Sequence, residues 1–84
     1  MTRDDIQKAV LKALGDVAPD ADLGSLGPDK DIRDTLDIDS MDFLNFVVAL
    51  KKTLGVEVPE ADYEKIRTLR DCTAYLEKRL AGGK

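Results

Sequence analysis

The chain predicts an all-α fold, a four-helix bundle with three longer helices and one short third helix, and three features of its residue order lead there. Apolar residues recur at three-to-four spacing along three long stretches, which is the period of one helix face and not of a strand. Helix formers dominate, aromatic residues make up 5% of the chain, and no strand–helix alternation of the kind that builds a parallel sheet occurs. The 84 residues suffice for one domain and one core, close to the size below which staples become necessary.

The first helix is predicted over residues 3–17. Thr2 and Asp5 form a capping box at its start, and Ile6, Ala9, Val10, Ala13, Leu14 and Val17 form its apolar stripe. Gly15 weakens the last turn and Pro19 ends it, since proline cannot continue a helix. Residues 18–38 then read as a long loop, rich in Asp and broken by Gly24, Gly27 and Pro28. A connection of that length in a small domain is functional or disordered. The spaced apolar residues Leu23, Leu26, Ile32, Leu36 and Ile38 predict a loop pinned onto the core, with one helical turn near Ile32–Leu36.

The second long helix is predicted over residues 40–54, with Gly55 as its stop. Asp39 is the expected N-cap, its carboxylate accepting from the free N–H groups of the first turn, and Asp42 falls at the reciprocal capping-box position. With Asp39 capping, Ser40 has a hydroxyl that capping does not use, at the positive end of a helix dipole where a phosphate is favoured. Phe43, Phe46, Val47, Leu50 and Leu54 form the core stripe, and Met41, Leu44 and Val48 form a second apolar line. A helix apolar over that much of its circumference is buried on several sides or faces a partner. Lys51 and Lys52 complement the dipole at its end.

Val56-Glu57-Val58 alternates like a strand but has no partner strand in view, so it reads as an extended linker into Pro59. A short helix follows over 60–66, with Tyr63 and Ile66 as apolar contacts. Thr68 caps a fourth helix over 69–81, with Asp71 at N3 and Leu69, Cys72, Leu76 and Leu80 as its stripe. Residues 81–84 are expected to fray.

Composition excludes several chemistries. There is no histidine, so neither Ser40 nor Cys72 can be activated in a Ser-His-Asp or Cys-His arrangement. Leu23-Gly24-Ser25-Leu26-Gly27 is no nucleophile elbow, which needs glycine where Leu23 stands. The single cysteine rules out an internal disulfide and a cysteine-based zinc site and fits a reducing cytosol; on a helix stripe, Cys72 reads as a core residue. The carboxylates Asp29, Asp31, Asp34, Asp37, Asp39 and Asp42 do not match a calcium loop. The fifth position is Met41 counted from Asp37 and Arg33 counted from Asp29. No metal site is expected. No charged-then-apolar leader and no long apolar run is present, so a cytoplasmic location and no membrane span are expected.

The net charge of −4 is uneven. Residues 1–40 carry ten acids against five bases, and residues 41–84 carry seven against eight. An acidic chain without a basic stripe is not built for nucleic acid but suits docking onto a basic protein surface.

Asp39-Ser40-Met41-Asp42-Phe43-Leu44, the long pinned loop before it, Leu54-Gly55-Val56-Glu57-Val58-Pro59 after it, and Glu64-Lys65-Ile66-Arg67-Thr68-Leu69 together resemble the acyl carrier protein family. The resemblance covers nearly the whole chain. It implies a single carrier domain over residues 1–84, a bundle of the acyl-carrier type, and no catalysis by the protein itself. Ser40 matches the serine that a phosphopantetheinyl transferase loads with 4′-phosphopantetheine from coenzyme A. Asp39 and Asp42 match the acidic flank read by partners; Phe46, Val47, Leu50, Tyr63 and Ile66 are expected to line an acyl-chain cleft. Met41, Leu44, Asn45, Val48, Lys51 and Lys52 complete the expected recognition surface. Carriers of the fatty acid synthase type look more acidic along this helix, where Asn45, Lys51 and Lys52 stand here. That change suggests a dedicated partner set, or lysines that only complement the helix end.

The expectation is a monomeric acyl carrier served by acyl-transferring, condensing or acyl-activating enzymes, its cargo a fatty or polyketide acyl chain. An aminoacyl or peptidyl carrier loaded by an adenylating ligase is the alternative within the class. The rival from another class is a helical interaction module without a prosthetic group, docking through Met41, Leu44 and Val48.

Overall fold

Thr2 opens the first helix by accepting the Asp5 N–H on its hydroxyl at 3.1 Å, while Asp5 Oδ2 accepts the Thr2 N–H at 3.3 Å. In the computed structural model, which describes residues 2–81, helix α1 spans Arg3–Val17 and buries Ile6, Val10, Ala13 and Leu14. The element order continues with a 3-10 turn at Leu23–Ser25, α2 at Ile32–Leu36, α3 at Ser40–Leu54, a 3-10 segment at Glu60–Ile66, and α4 at Leu69–Ala81. Residues 82–84, in the stretch expected to fray, lie outside the described residues.

The fold is all-α: α1 packs against both α3 and α4, and the 3-10 segment Glu60–Ile66 packs on α4. Phe43, Phe46, Val47 and Leu50 of α3 meet Leu69, Cys72 and Leu76 of α4 and the α1 stripe in one buried cluster. Each fully buried Leu, Ile or Phe side chain contributes about 1.5–3 kcal/mol of transfer free energy. α3 ends at Gly55, whose φ of 73° is the left-handed conformation that glycine adopts without a Cβ penalty. α4 is capped by the Thr68 hydroxyl, which accepts the Asp71 N–H at 3.0 Å.

Residues 18–38 are strapped to the body in two ways. Leu26, Ile32, Leu36 and Ile38 are buried in the core cluster. The backbone also bonds to the junction before α4: Ile32 N–H to Arg67 O at 2.7 Å, and Arg70 N–H to Pro28 O at 2.9 Å. Asp31 and Thr68 form an isolated antiparallel bridge. Arg67 pairs with Asp31 at 2.6 Å and Arg70 with Asp29 at 2.8 Å across the same seam. A short helix, capped by Asp31 Oδ1 at the Asp34 N–H, closes the strap and stops at Asp37, whose φ is 55°. Aspartate is among the few non-glycine residues that tolerate this conformation.

The third helical element is 3-10 and not α. With three residues per turn, side chains at i and i+3 stand one above the other, so Tyr63 and Ile66 point the same way. Ile66 is fully buried and Tyr63 packs partly buried against the core. Val56 and Val58 tuck inward while Glu57 is exposed, and the segment pairs with no strand among the described residues.

Candidate functional site

The start of α3 is set by Asp39, an extended-backbone N-cap whose Oδ1 accepts the Asp42 N–H at 2.9 Å. The return bond from the Asp39 N–H to the Asp42 carboxylate is not formed among the described residues; the equally short Asp5 accepts its own return bond, from the Thr2 N–H, only at 3.3 Å. Capping therefore uses Asp39 and leaves Ser40 exposed at the first helical position. Its hydroxyl accepts one bond, from Arg33 Nη2 at 3.0 Å.

Arg33 is the residue that sequence reasoning missed. It sits half-buried on the single turn of α2, with its guanidinium carbon 5.9 Å from the centroid of the Phe43 ring, in cation–π range. Phe43 meets Tyr63 edge-on, centroids 5.6 Å apart and planes at 73°. These three residues, with Glu64 and Arg67, line a cavity of about 180 Å³ between α3 and the 3-10 segment. Through Arg33, Ser40 is thus linked to a small hollow with an aromatic floor and a charged edge.

Of the residues expected to line a cleft, Tyr63 faces this hollow. Phe46, Leu50 and Ile66 are 0% exposed and Val47 is 8% exposed, all packed in the core beneath it. Phe43, nearer Ser40 along α3 and buried itself, is the α3 side chain that lines the hollow. The outer line of α3 stands clear of the core: Met41 is 65%, Leu44 44% and Val48 50% exposed. Asn45 and Lys52 are exposed beside it, and Lys51 Nζ reaches Glu57 Oε1 at 3.4 Å across the end of α3.

No three Asp, Glu or Cys residues converge to hold a metal ion among the described residues, and Asp29 and Asp31 of the acidic loop pair with arginines instead. Cys72 is buried, and desolvation pushes its thiol up to about 12, far from the thiolate that nucleophilic chemistry needs.

A family model described as the phosphopantetheine attachment site matches residues 4–76. The acyl carrier protein of Zymomonas mobilis subsp. mobilis is 34% identical over 80 residues, covering 95% of this chain and 96% of that one. The acyl carrier protein of Syntrophobacter fumaroxidans is 41% identical over 54 residues, 64% of this chain and 67% of its own.

The chain belongs to the acyl carrier protein family.

It is accordingly a carrier and not an enzyme, and its prosthetic group is covalent 4′-phosphopantetheine. The residues at the start of α3 fit such a group. An exposed hydroxyl is free of capping duty, a guanidinium stands beside it to meet an anion, and an apolar hollow opens next to both. No helix among the described residues is long and apolar enough to cross a membrane.

Proposed function

We propose that this carrier takes its arm on Ser40 Oγ and moves acyl intermediates as thioesters among a specialised set of cytoplasmic fatty acid, polyketide or related biosynthetic enzymes, acting as a monomer. The observation that carries the reading is the exposed Ser40 hydroxyl, spared from capping by Asp39, at the start of α3. In loading, Ser40 Oγ forms the new P–O ester bond as the pyrophosphate P–O bond of coenzyme A breaks and adenosine 3′,5′-bisphosphate leaves. The seryl proton passes to a base of the phosphopantetheinyl transferase, since this chain has no histidine to take it. The terminal thiol of the bound group supplies the thioester chemistry.

Around Ser40, Asp39 and Asp42 supply the charges that partners read, and Met41, Leu44 and Val48 supply apolar contact area. Asn45, Lys51 and Lys52 make the far half of α3 less acidic, which favours partners other than the general fatty acid synthase enzymes. Phe43 and Tyr63 are the side chains positioned to shelter cargo near the arm. Phe46, Val47, Leu50 and Ile66 lie one layer deeper, available to cargo that parts α3 from the 3-10 segment.

Intact mass after incubation with coenzyme A and a broad-specificity phosphopantetheinyl transferase tests the reading. The wild type should gain one phosphopantetheine and Ser40→Ala none; no gain on the wild type overturns it.

A further inference from the structure

Two hollows flank the start of α3, and their charges are opposite. One is the Arg33–Phe43–Tyr63 cavity, whose edge also carries Glu64 and an Arg67 already paired with Asp31, which leaves Arg33 as the cation next to Ser40. The other, about 380 Å³, is lined by Asp20, Asp37 and Asp42 together with Ala18, Leu36 and Ile38. A phosphodiester on Ser40 carries one negative charge, so the acidic groove repels it and the adjoining Arg33 attracts it.

Arg33 is placed to act on that difference. Arg3, Arg67 and Arg70 each pair with a carboxylate, and Arg79 donates to the Tyr75 hydroxyl. Among the described residues, Arg33 donates to the neutral Ser40 hydroxyl and lies over the Phe43 ring face. A guanidinium and an anionic oxygen add the attraction of opposite charges to the hydrogen bond, which a neutral hydroxyl does not, and the N–H fork suits two oxygens at once. Esterification of Oγ places two non-bridging oxygens two bonds beyond the atom that Arg33 already touches. The α3 N-terminus acts on them in the same direction.

We propose that Arg33 is a positioning residue for the prosthetic arm: it clamps the phosphodiester on Ser40 and so directs the arm into the Phe43–Tyr63 hollow and away from the acidic groove on the other side. Before loading, the same guanidinium holds the Ser40 hydroxyl in place. This role rests on Ser40 being the attachment residue, and the experiment separates the two.

Wild type, Arg33→Lys and Arg33→Gln are loaded with coenzyme A and transferase, and intact mass confirms the holo forms. Matching amide spectra of the unloaded proteins outside the Arg33 neighbourhood confirm the fold. The 31P shift of the ester and the nuclear Overhauser contacts between the arm's geminal methyl groups and the Phe43 and Tyr63 ring protons are then measured. The expected result is ring contacts in the wild type, their loss in Arg33→Gln with a displaced 31P resonance, and partial retention in Arg33→Lys. Identical 31P shifts and contacts in wild type and Arg33→Gln overturn the role of Arg33, as does a wild-type holo protein without ring contacts. Failure of the wild type to load overturns the Ser40 reading instead.

Discussion

Tyr75 and Asp62 are joined hydroxyl to carboxylate, with the oxygens 2.6 Å apart, and the bond ties the 3-10 segment that walls the hollow to α4. The Tyr75 bond, assisted by Lys65, holds the Asp62 carboxyl below its ordinary value of 3.8. Partial burial, then Asp62, hold the Tyr75 hydroxyl above its ordinary value of 10.0. A lowered acid stabilises the fold above its unfolded pKa and loses that stabilisation as pH falls through the folded value; a raised acid stabilises below its unfolded pKa and loses it as pH rises through the folded value. The pair therefore supports the fold between the carboxylate and phenol ranges. Tyr75→Phe should return the Asp62 carboxyl toward its ordinary titration and move the acid-unfolding midpoint to higher pH. Circular dichroism against pH and the Asp62 carboxyl 13C shift check it; an unmoved midpoint would show that the bond contributes nothing.

Asp39 combines a cap with a charge, and two substitutions separate them. Asp39→Ala should lower stability by about 1 kcal/mol, the usual cost of losing an N-cap. Asp39→Ser keeps a capping oxygen and should leave stability within about 0.5 kcal/mol. Both should slow loading by the transferase if the charge is what that partner reads. Urea unfolding and initial loading rates give the two answers.

Gly55 offers a measure of backbone strain without packing. Its φ is +73° and an added Cβ meets nothing within 4 Å. Gly55→Ala should cost about 1 kcal/mol, from the left-handed conformation alone, seen as a lower urea midpoint with an unchanged slope.

Lys51 and Lys52 test partner choice. Reversing both to Glu should raise turnover with a general fatty acid synthase enzyme, at a stability cost of about 0.3–1 kcal/mol per residue from the α3 dipole. Part of that cost for Lys51 is its exposed pair with Glu57. Unchanged turnover with lowered stability would assign the lysines to the helix end.

The three long helices were legible because their cores lie on one stripe each and their ends carry Thr2, Asp39, Gly55 and Thr68. The exposure of Met41, Leu44 and Val48 was legible as apolar surface the core stripe did not absorb. The pinning of residues 18–38 could be read from Ile32 and Leu36, and the partners of the strap could not. Periodicity says which residues face inward but not which of them reaches an opening, so Phe46 and Leu50 read the same as Phe43. Arg33 was illegible for a different reason. Its approach to Ser40 depends on the left-handed turn at Asp37 and on the Ile32–Arg67 backbone bond, and neither leaves a mark in the residues next to it.

The strap also decides which wall of the hollow can give way. Residues 28–32 and 67–70 are joined by two backbone bonds, one of them within the Asp31–Thr68 bridge, and by two ion pairs, so the arginine edge that carries Arg33 and Arg67 behaves as one plate. Across the hollow stands the Phe43 ring, held by the Phe46 and Tyr63 rings and the Arg33 guanidinium, with no hydrogen bond of its own to fix its orientation. A growing cargo would then widen the space by turning the Phe43 ring aside while Ser40 and the two guanidinium groups keep their places. The protein would lengthen its berth from one side only, with the mooring point unmoved.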